Sequence, residues 1–191
     1  MRKMPCLVER DFSDKRRPKM LGTITPGCEW VLAGEGTATR KWDGTACLVR
    51  DGNLFKRYDA KRGKQAPPGF EACCEPDPIT GHCPGWLPVD VRNPDPADVW
   101  HALAWAQDTP EDDFTYELVG PKINSNHEGE SVHRFVRHGS DLLTVPRTLD
   151  GIRSFLEAAT IEGIVFWRST DRDCEKVKIR RDDFGFSWPV K

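Results

Sequence analysis

The chain has 191 residues, of which 38% are hydrophobic and 30% charged, and its formal net charge is −2. That length suits a single domain with a sizeable core, and the near-neutral balance excludes a generic polyanion binder. No stretch approaches the roughly 18 consecutive apolar residues of a membrane span, and residues 1–9 hold no apolar stretch of signal-peptide length, so an intracellular, cytoplasmic protein is expected.

Residues 1–35 are mixed in character and punctuated by Gly and Pro. Thr45–Arg50 reads as a strand, Asp51-Gly52 as a tight hairpin turn, and Asn53–Tyr58 as the returning strand. Lys41 therefore stands just before a β-hairpin. Residues 66–96 are rich in proline and are expected to be a long irregular segment. Pro96–Gln107 reads as a helix with Pro in its first turn and an apolar stripe of Val99, Leu103 and Ala106. Phe114–Val119 reads as a strand and Asp141–Val145 as another. Thr148–Ala159 reads as an amphipathic helix through Leu149, Ile152, Phe155 and Leu156. Two further strands, Ile161–Arg168 and Cys174–Arg181, flank a turn. Strands outnumber helices, which predicts an α+β fold with mainly antiparallel sheets and a few flanking helices.

The seven cysteines are odd in number and irregular in spacing, which argues against a secreted disulfide framework and for free thiols. Cys73, Cys74, His82 and Cys83 are close in sequence. Adjacent pairs, however, are poor geometry for one tetrahedral zinc ion, for which C-x2-C spacing is the usual device. Basic residues cluster at Lys15, Arg16, Arg17 and Lys19, at Lys56, Arg57, Lys61, Arg62 and Lys64, and at Lys176, Lys178, Arg180 and Arg181. Such patches hold phosphates even on a chain near neutrality, although a solvated face is the plainer reading of the first group.

Lys41-Trp42-Asp43-Gly44 is a weak motif alone, since a polar turn entering a hairpin has the same composition. Lys176 and Lys178 alternate with Val177 and Ile179, so both ammonium groups point to one face of a strand. They repel unless water or an anion lies between them. Glu162 sits in an apolar run beside Ile164 and Phe166, and Glu117 lies between Tyr116 and Leu118. A carboxylate in such surroundings is expensive unless it meets a cation or a metal.

In order and spacing, Lys41-x-Asp43-Gly44, Arg57, Glu117, Glu162-Gly163 and Lys176-x-Lys178 resemble the motif series of covalent nucleotidyltransferases: the ATP-dependent DNA and RNA ligases and the mRNA capping enzymes. Further stretches narrow the resemblance. These are Arg2-Lys3-Met4-Pro5-Cys6, Gly81-His82-Cys83-Pro84-Gly85-Trp86, Glu117 to Asn126, His138-Gly139, Ile161-Glu162-Gly163-Ile164-Val165 and Phe184 to Pro189. Together they resemble the compact ATP-dependent 5′-3′ RNA ligase family that includes the vertebrate RNA ligase, from about residue 2 to residue 189.

The resemblance implies one adenylyltransferase domain over residues 1–191, ATP-grasp-like and of the DNA-ligase type, with no separate C-terminal domain. It implies that Lys41 attacks the α-phosphate of ATP and that Lys176 and Lys178 hold the phosphates. Glu162 helps hold Mg²⁺ (or Mn²⁺) through water, as suits that ion. Glu117 accepts from the ribose hydroxyls, Arg57 contacts ribose or phosphate, Arg40 offers backbone contacts to the base, and Asp43 and Gly44 shape the loop. The partner implied is RNA with 5′-phosphate and 3′-hydroxyl ends, in RNA repair. Charge alone nominates Lys61, Arg62, Lys64, Arg180 and Arg181 as RNA contacts. No role is assigned to His133 or His138, no membrane is expected, and no obligate protein partner is readable. DNA ligation, RNA 5′-adenylation without sealing, and nucleotide or RNA binding without catalysis remain alternatives.

Overall fold

The computed structural model describes residues 4–11, 13, 19–78 and 80–190. Arg2, Lys3, Lys15, Arg16 and Arg17, together with the Lys19 side chain, lie outside what it describes. In chain order the strands are β1 (Val8–Asp11), β2 (Lys19–Ile24), β3 (Thr37–Lys41), β4 (Thr45–Arg50), β5 (Asn53–Ala60), β6 (Glu71–Ala72) and β7 (Cys83–Pro88). Helix α1 (Val99–Gln107) precedes β8 (Thr115–Val119), β9 (Arg134–Arg137) and β10 (Leu142–Leu143); helix α2 (Leu149–Ala158) precedes β11 (Gly163–Trp167) and β12 (Lys176–Arg180). The chain forms two compact units, Asp43–His138 and Met4–Trp42 with Gly139–Lys191.

The Asp43–His138 unit is a six-stranded antiparallel sheet of order β6-β7-β5-β4-β8-β9. The β4–β5 hairpin turns on Asp51 and Gly52, both at positive φ (52° and 69°), the geometry that a two-residue turn between twisted strands requires. Residues 66–96 are more regular than their prolines suggest, because β7 pairs with both β5 and β6. The Cys73 amide donates to the Pro84 carbonyl at 2.9 Å, so Pro84 joins the ladder as an acceptor.

Helix α1 forms where expected but buries a different face. Its buried residues are His101, Ala102 and Ala104, whereas Val99 and Leu103 are 40% and 39% exposed. The cause lies just before the helix. Asp98 is buried against Lys56, with carboxylate oxygens 2.5 and 2.7 Å from the Lys56 Nζ, and residues three and four positions on follow it inward.

The other unit carries a four-stranded antiparallel sheet of order β10-β3-β11-β12 and a separate β1–β2 pair. Its core gathers Leu7, Val31, Ile152, Leu156, Ile164, Phe166, Val177 and Ile179. Helix α2 is capped at its N-terminus by the Thr148 hydroxyl, which accepts from the Gly151 amide at 3.1 Å. Pro5–Leu7 runs beside β12: the Lys178 amide donates to the Pro5 carbonyl, and the Leu7 amide donates to the Lys178 carbonyl. The fold is α+β with mostly antiparallel sheets. Among the described residues no helix is long and apolar enough to cross a membrane.

Candidate functional site

In the Met4–Trp42 and Gly139–Lys191 unit, strand register sorts the predicted residues. Lys41 stands opposite Gly163, which stands opposite Arg180; Thr39, Val165 and Lys178 form the next row, and Thr37, Trp167 and Lys176 the third. Residues directly opposite share a face, so Lys41, Lys178, Lys176 and Arg180 all lie on the face turned away from Ile164, Phe166, Val177 and Ile179. Gly163 leaves room in the Lys41 row, because a Cβ there would stand 2.3 Å from the Ile179 carbonyl oxygen. By the same alternation the Arg40 side chain points to the opposite face, where its guanidinium lies 3.7 Å from the Trp42 ring centroid. Its backbone amide donates to the Asp141 carbonyl at 2.9 Å.

Glu162 precedes β11 rather than lying within it, and its carboxylate is ion-paired with the Lys41 ammonium. The buried carboxylate thus meets the cation that its surroundings require. Lys176 is 7% exposed; its ammonium donates to the carbonyls of Arg172 and Cys174 and lies 4.4 Å from the Trp167 ring centroid. Burial pushes the Lys176 pKa below the ordinary lysine value, and Cys174, Asp173 and Asp171 oppose that shift. Burial likewise lowers the Lys178 pKa; Cys6 opposes the shift, while the positive charges of Lys41, Arg180 and Arg10 reinforce it. The face therefore gathers several cations, with Glu162 on Lys41 and Asp182 beside Arg180, and an anion placed between the lysines would relieve their repulsion.

The Asp43–His138 unit assembles the remaining candidates. Ala46 stands opposite Glu117, and Arg57 stands opposite Trp86. One further step of the β4–β5 register sets Ala46 beside Arg57. Glu117, Ala46, Arg57 and Trp86 thus form one cross-strand row on a single face, over Leu48 and Phe55. Glu117 accepts from the Gly44 amide at 3.1 Å and meets His138 Nε2 at 2.7 Å. The Arg57 guanidinium lies over the Trp86 ring, 5.3 Å from its centroid, and reaches the Cys73 sulfur at 3.7 Å.

Asp43 and Gly44 are held more tightly than a loop-shaping role suggests. The Asp43 carboxylate meets His127 Nδ1 and Asn124 Nδ2, each at 2.8 Å, and its amide donates to Glu128 at 2.7 Å. Asn124 also donates to the Gly44 carbonyl at 2.8 Å. Asn124, Ser125 and Asn126 all take positive φ (44°, 56° and 56°), a strained run that brings Asn124 to the turn and ties Asn126 to Glu130. A Cβ on Gly44 would stand 2.2 Å from the Leu118 carbonyl oxygen. Sequence reasoning missed His138, Asn124, His127 and Glu128 as partners; the only signal was that His138 and Asn124 lie in the stretches carrying the resemblance.

The nominated RNA contacts divide. Lys61, Arg62 and Lys64 are exposed in the loop after β5. Arg180 is half-buried and lies 3.1 Å from Asp182. Arg181 is removed from the set. It is 6% exposed, and its guanidinium donates to the carbonyls of Leu156, Ala159 and Ser187. It caps the C-terminal end of α2, and those donors are already committed.

No protein-family model matches the chain, and no curated protein matches it.

Among the described residues, no group of three or more His, Cys, Asp and Glu side chains could hold a metal by itself. Glu162, the carboxylate the sequence nominates for a metal, is ion-paired with Lys41; Mg²⁺, which binds through one or two carboxylates completed by water and phosphate, needs no larger cluster.

Proposed function

We propose that this chain is an ATP-dependent RNA ligase, acting through a covalent lysyl-AMP on Lys41, with an ATP-grasp-like, DNA-ligase-type adenylyltransferase domain. The observation that carries the reading is the row geometry of β3, β11 and β12. It puts the Lys41 amine and the desolvated Lys176 and Lys178 on one face of one sheet, with Glu162 ion-paired to Lys41. Two partly desolvated lysines on the face that carries Lys41 favour a bound anion such as a phosphate, which charge-assisted hydrogen bonds would hold.

The Glu162 carboxylate holds the Lys41 ammonium. Attack requires a neutral amine, and Glu162 is the proton acceptor within reach. The Lys41 Nζ then forms a bond to the α-phosphorus while the bond to pyrophosphate breaks. Lys176 and Lys178 balance the charge that develops on the phosphoryl oxygens. Mg²⁺, held through Glu162 and water, would supply further charge neutralisation. Glu117 and Arg57 take the ribose or phosphate contacts, and the grip of Asn124, His127 and Glu128 keeps the Asp43-Gly44 turn in one conformation.

Two steps complete the reaction. An RNA 5′-phosphate oxygen attacks the lysyl-AMP, the P–N bond breaks, and an AMP-capped RNA forms. A 3′-hydroxyl then attacks the capped phosphate, and AMP leaves. Incubation with ATP, Mg²⁺ and either a nicked RNA hairpin or the matching nicked DNA tests the assignment. Sealing of RNA is the expected result. Sealing of DNA alone would replace the substrate, and accumulation of capped RNA without sealing would replace the activity by 5′-adenylation.

A further inference from the structure

The thiols of Cys73, Cys74 and Cys83 take no part in the proposed chemistry, yet the fold places them unevenly. β6 and β7 pair as Glu71 with Trp86 and Ala72 with Gly85. The ladder runs on past β6, because the Cys73 amide donates to the Pro84 carbonyl at 2.9 Å. Cys73 and Pro84 are thus a hydrogen-bonded pair, and the same register carried one step further, where the chain bends, would set Cys74 opposite Cys83. In an antiparallel ladder the pair after a hydrogen-bonded one is the close kind, with Cα atoms about 4.5 Å apart and side chains on one face. That separation lies within the range a disulfide bridges.

The Cys83 side chain reaches Cys74 directly. The Cys83 sulfur stands 3.3 Å from the Cys74 carbonyl oxygen. Burial first, then the charges of Cys74 and Cys73, push the Cys83 thiol above its ordinary value. Cys73 points to the other face, where its sulfur meets Arg57 and it packs against the cluster of Leu48, Phe55 and Trp86. Beyond the pair the chain turns back on itself: the Asp77 amide donates to the His82 carbonyl at 2.9 Å, and the Gly81 amide donates to the Asp77 carbonyl at 2.7 Å. The Asp77–His82 bond is offset by two residues from the β6–β7 register, so the chain bulges between Cys74 and Asp77 while both ends stay tied to β7 and its approach.

We propose that Cys74 and Cys83 are an oxidation site that forms a reversible cross-strand disulfide with a peroxide as oxidant. The Cys74 thiolate attacks one peroxide oxygen; an S–O bond forms, the O–O bond breaks, and water leaves. The Cys83 thiolate attacks the resulting sulfenic sulfur and expels the second oxygen, which leaves as water. Two thiols and one hydrogen peroxide thus give one disulfide and two waters, and a dithiol reverses the step by exchange. The site is independent of the ligase reading, since none of its atoms serves the proposed reaction.

The test uses the full chain, reduced, freed of reductant and treated with hydrogen peroxide. Intact-mass measurement is expected to find a loss of about 2 Da, restored by dithiothreitol. Peptide mapping without reduction is expected to place the link between Cys74 and Cys83. C74S and C83S should each lower the bridged fraction at least about tenfold, while C73S, on the opposite face, keeps it. A link through Cys73, an undiminished bridge in C83S, or oxidation to sulfinic acid without a bridge would overturn the proposal. The link is mapped in the parent protein, so failure of one variant to fold does not remove the decision.

Discussion

Arg181→Leu separates a structural cation from a nucleic-acid contact. The wild-type guanidinium is buried and satisfies three carbonyls, those of Leu156 and Ala159 at the end of α2 and that of Ser187. Removing it leaves the buried Leu156 carbonyl and its neighbour without a donor, at about 1–3 kcal/mol for each unsatisfied group. A leucine side chain in the same space recovers about 1–2 kcal/mol of apolar burial. The net loss is about 2–4 kcal/mol. At roughly 2–4 °C per kcal/mol for a chain of this size, the melting temperature should fall by about 5–15 °C. Scanning calorimetry measures it directly, with Arg181→Lys as the companion. Lysine keeps the charge but lacks the fork that reaches several carbonyls, so it should fall between. A melting temperature within about 1 °C of the parent would refute the cap and return Arg181 to the surface.

Two other substitutions probe the site from the sequence upward. Gly44→Ala brings a Cβ to 2.2 Å from the Leu118 carbonyl oxygen and 2.8 Å from Glu117 Cγ. Because the first obstacle is backbone, a loss of about 2–4 kcal/mol is expected in urea unfolding, and a loss below about 0.5 kcal/mol would contradict that packing. Lys178→Met should raise the urea midpoint near neutral pH while lowering the self-adenylation rate at least about a hundredfold. Burial lowers the Lys178 pKa in the folded state, so the folded protein bears a cost wherever the group is charged in both states. That cost is relieved as pH rises through the lowered value towards the ordinary lysine value of about 10.4, because the unfolded chain then binds more protons. The parent should therefore gain stability over that alkaline window relative to Lys178→Met, and a parallel pH dependence in the two would contradict the shift.

Much of the framework was legible locally. The β4–β5 hairpin, α2, β8, β11 and β12 all follow from apolar runs, turn chemistry and alternation, and so does the shared face of Lys176 and Lys178. Other features depend on partners far along the chain. Strand β3 reads Thr-Ala-Thr-Arg-Lys, with no alternation of its own, and is a strand because β10 and β11 flank it. The rotation of α1 comes from Lys56 on β5. The partners of Asp43 lie some eighty residues further on, and nothing near Asp43 names them. Arg181 misled because a cluster of basic residues counts charges without saying what each guanidinium already touches.

The proposed chemistry depends on Lys41 above every other residue. The full chain, incubated with ATP and Mg²⁺ and measured by intact mass and peptide mapping, should gain a single adenylyl group on Lys41. Lys41→Ala should gain none, and Lys178→Met and Glu162→Ala should fall at least about a hundredfold in rate. An unmodified parent, or an adenylyl group carried on another residue and retained in Lys41→Ala, would contradict it.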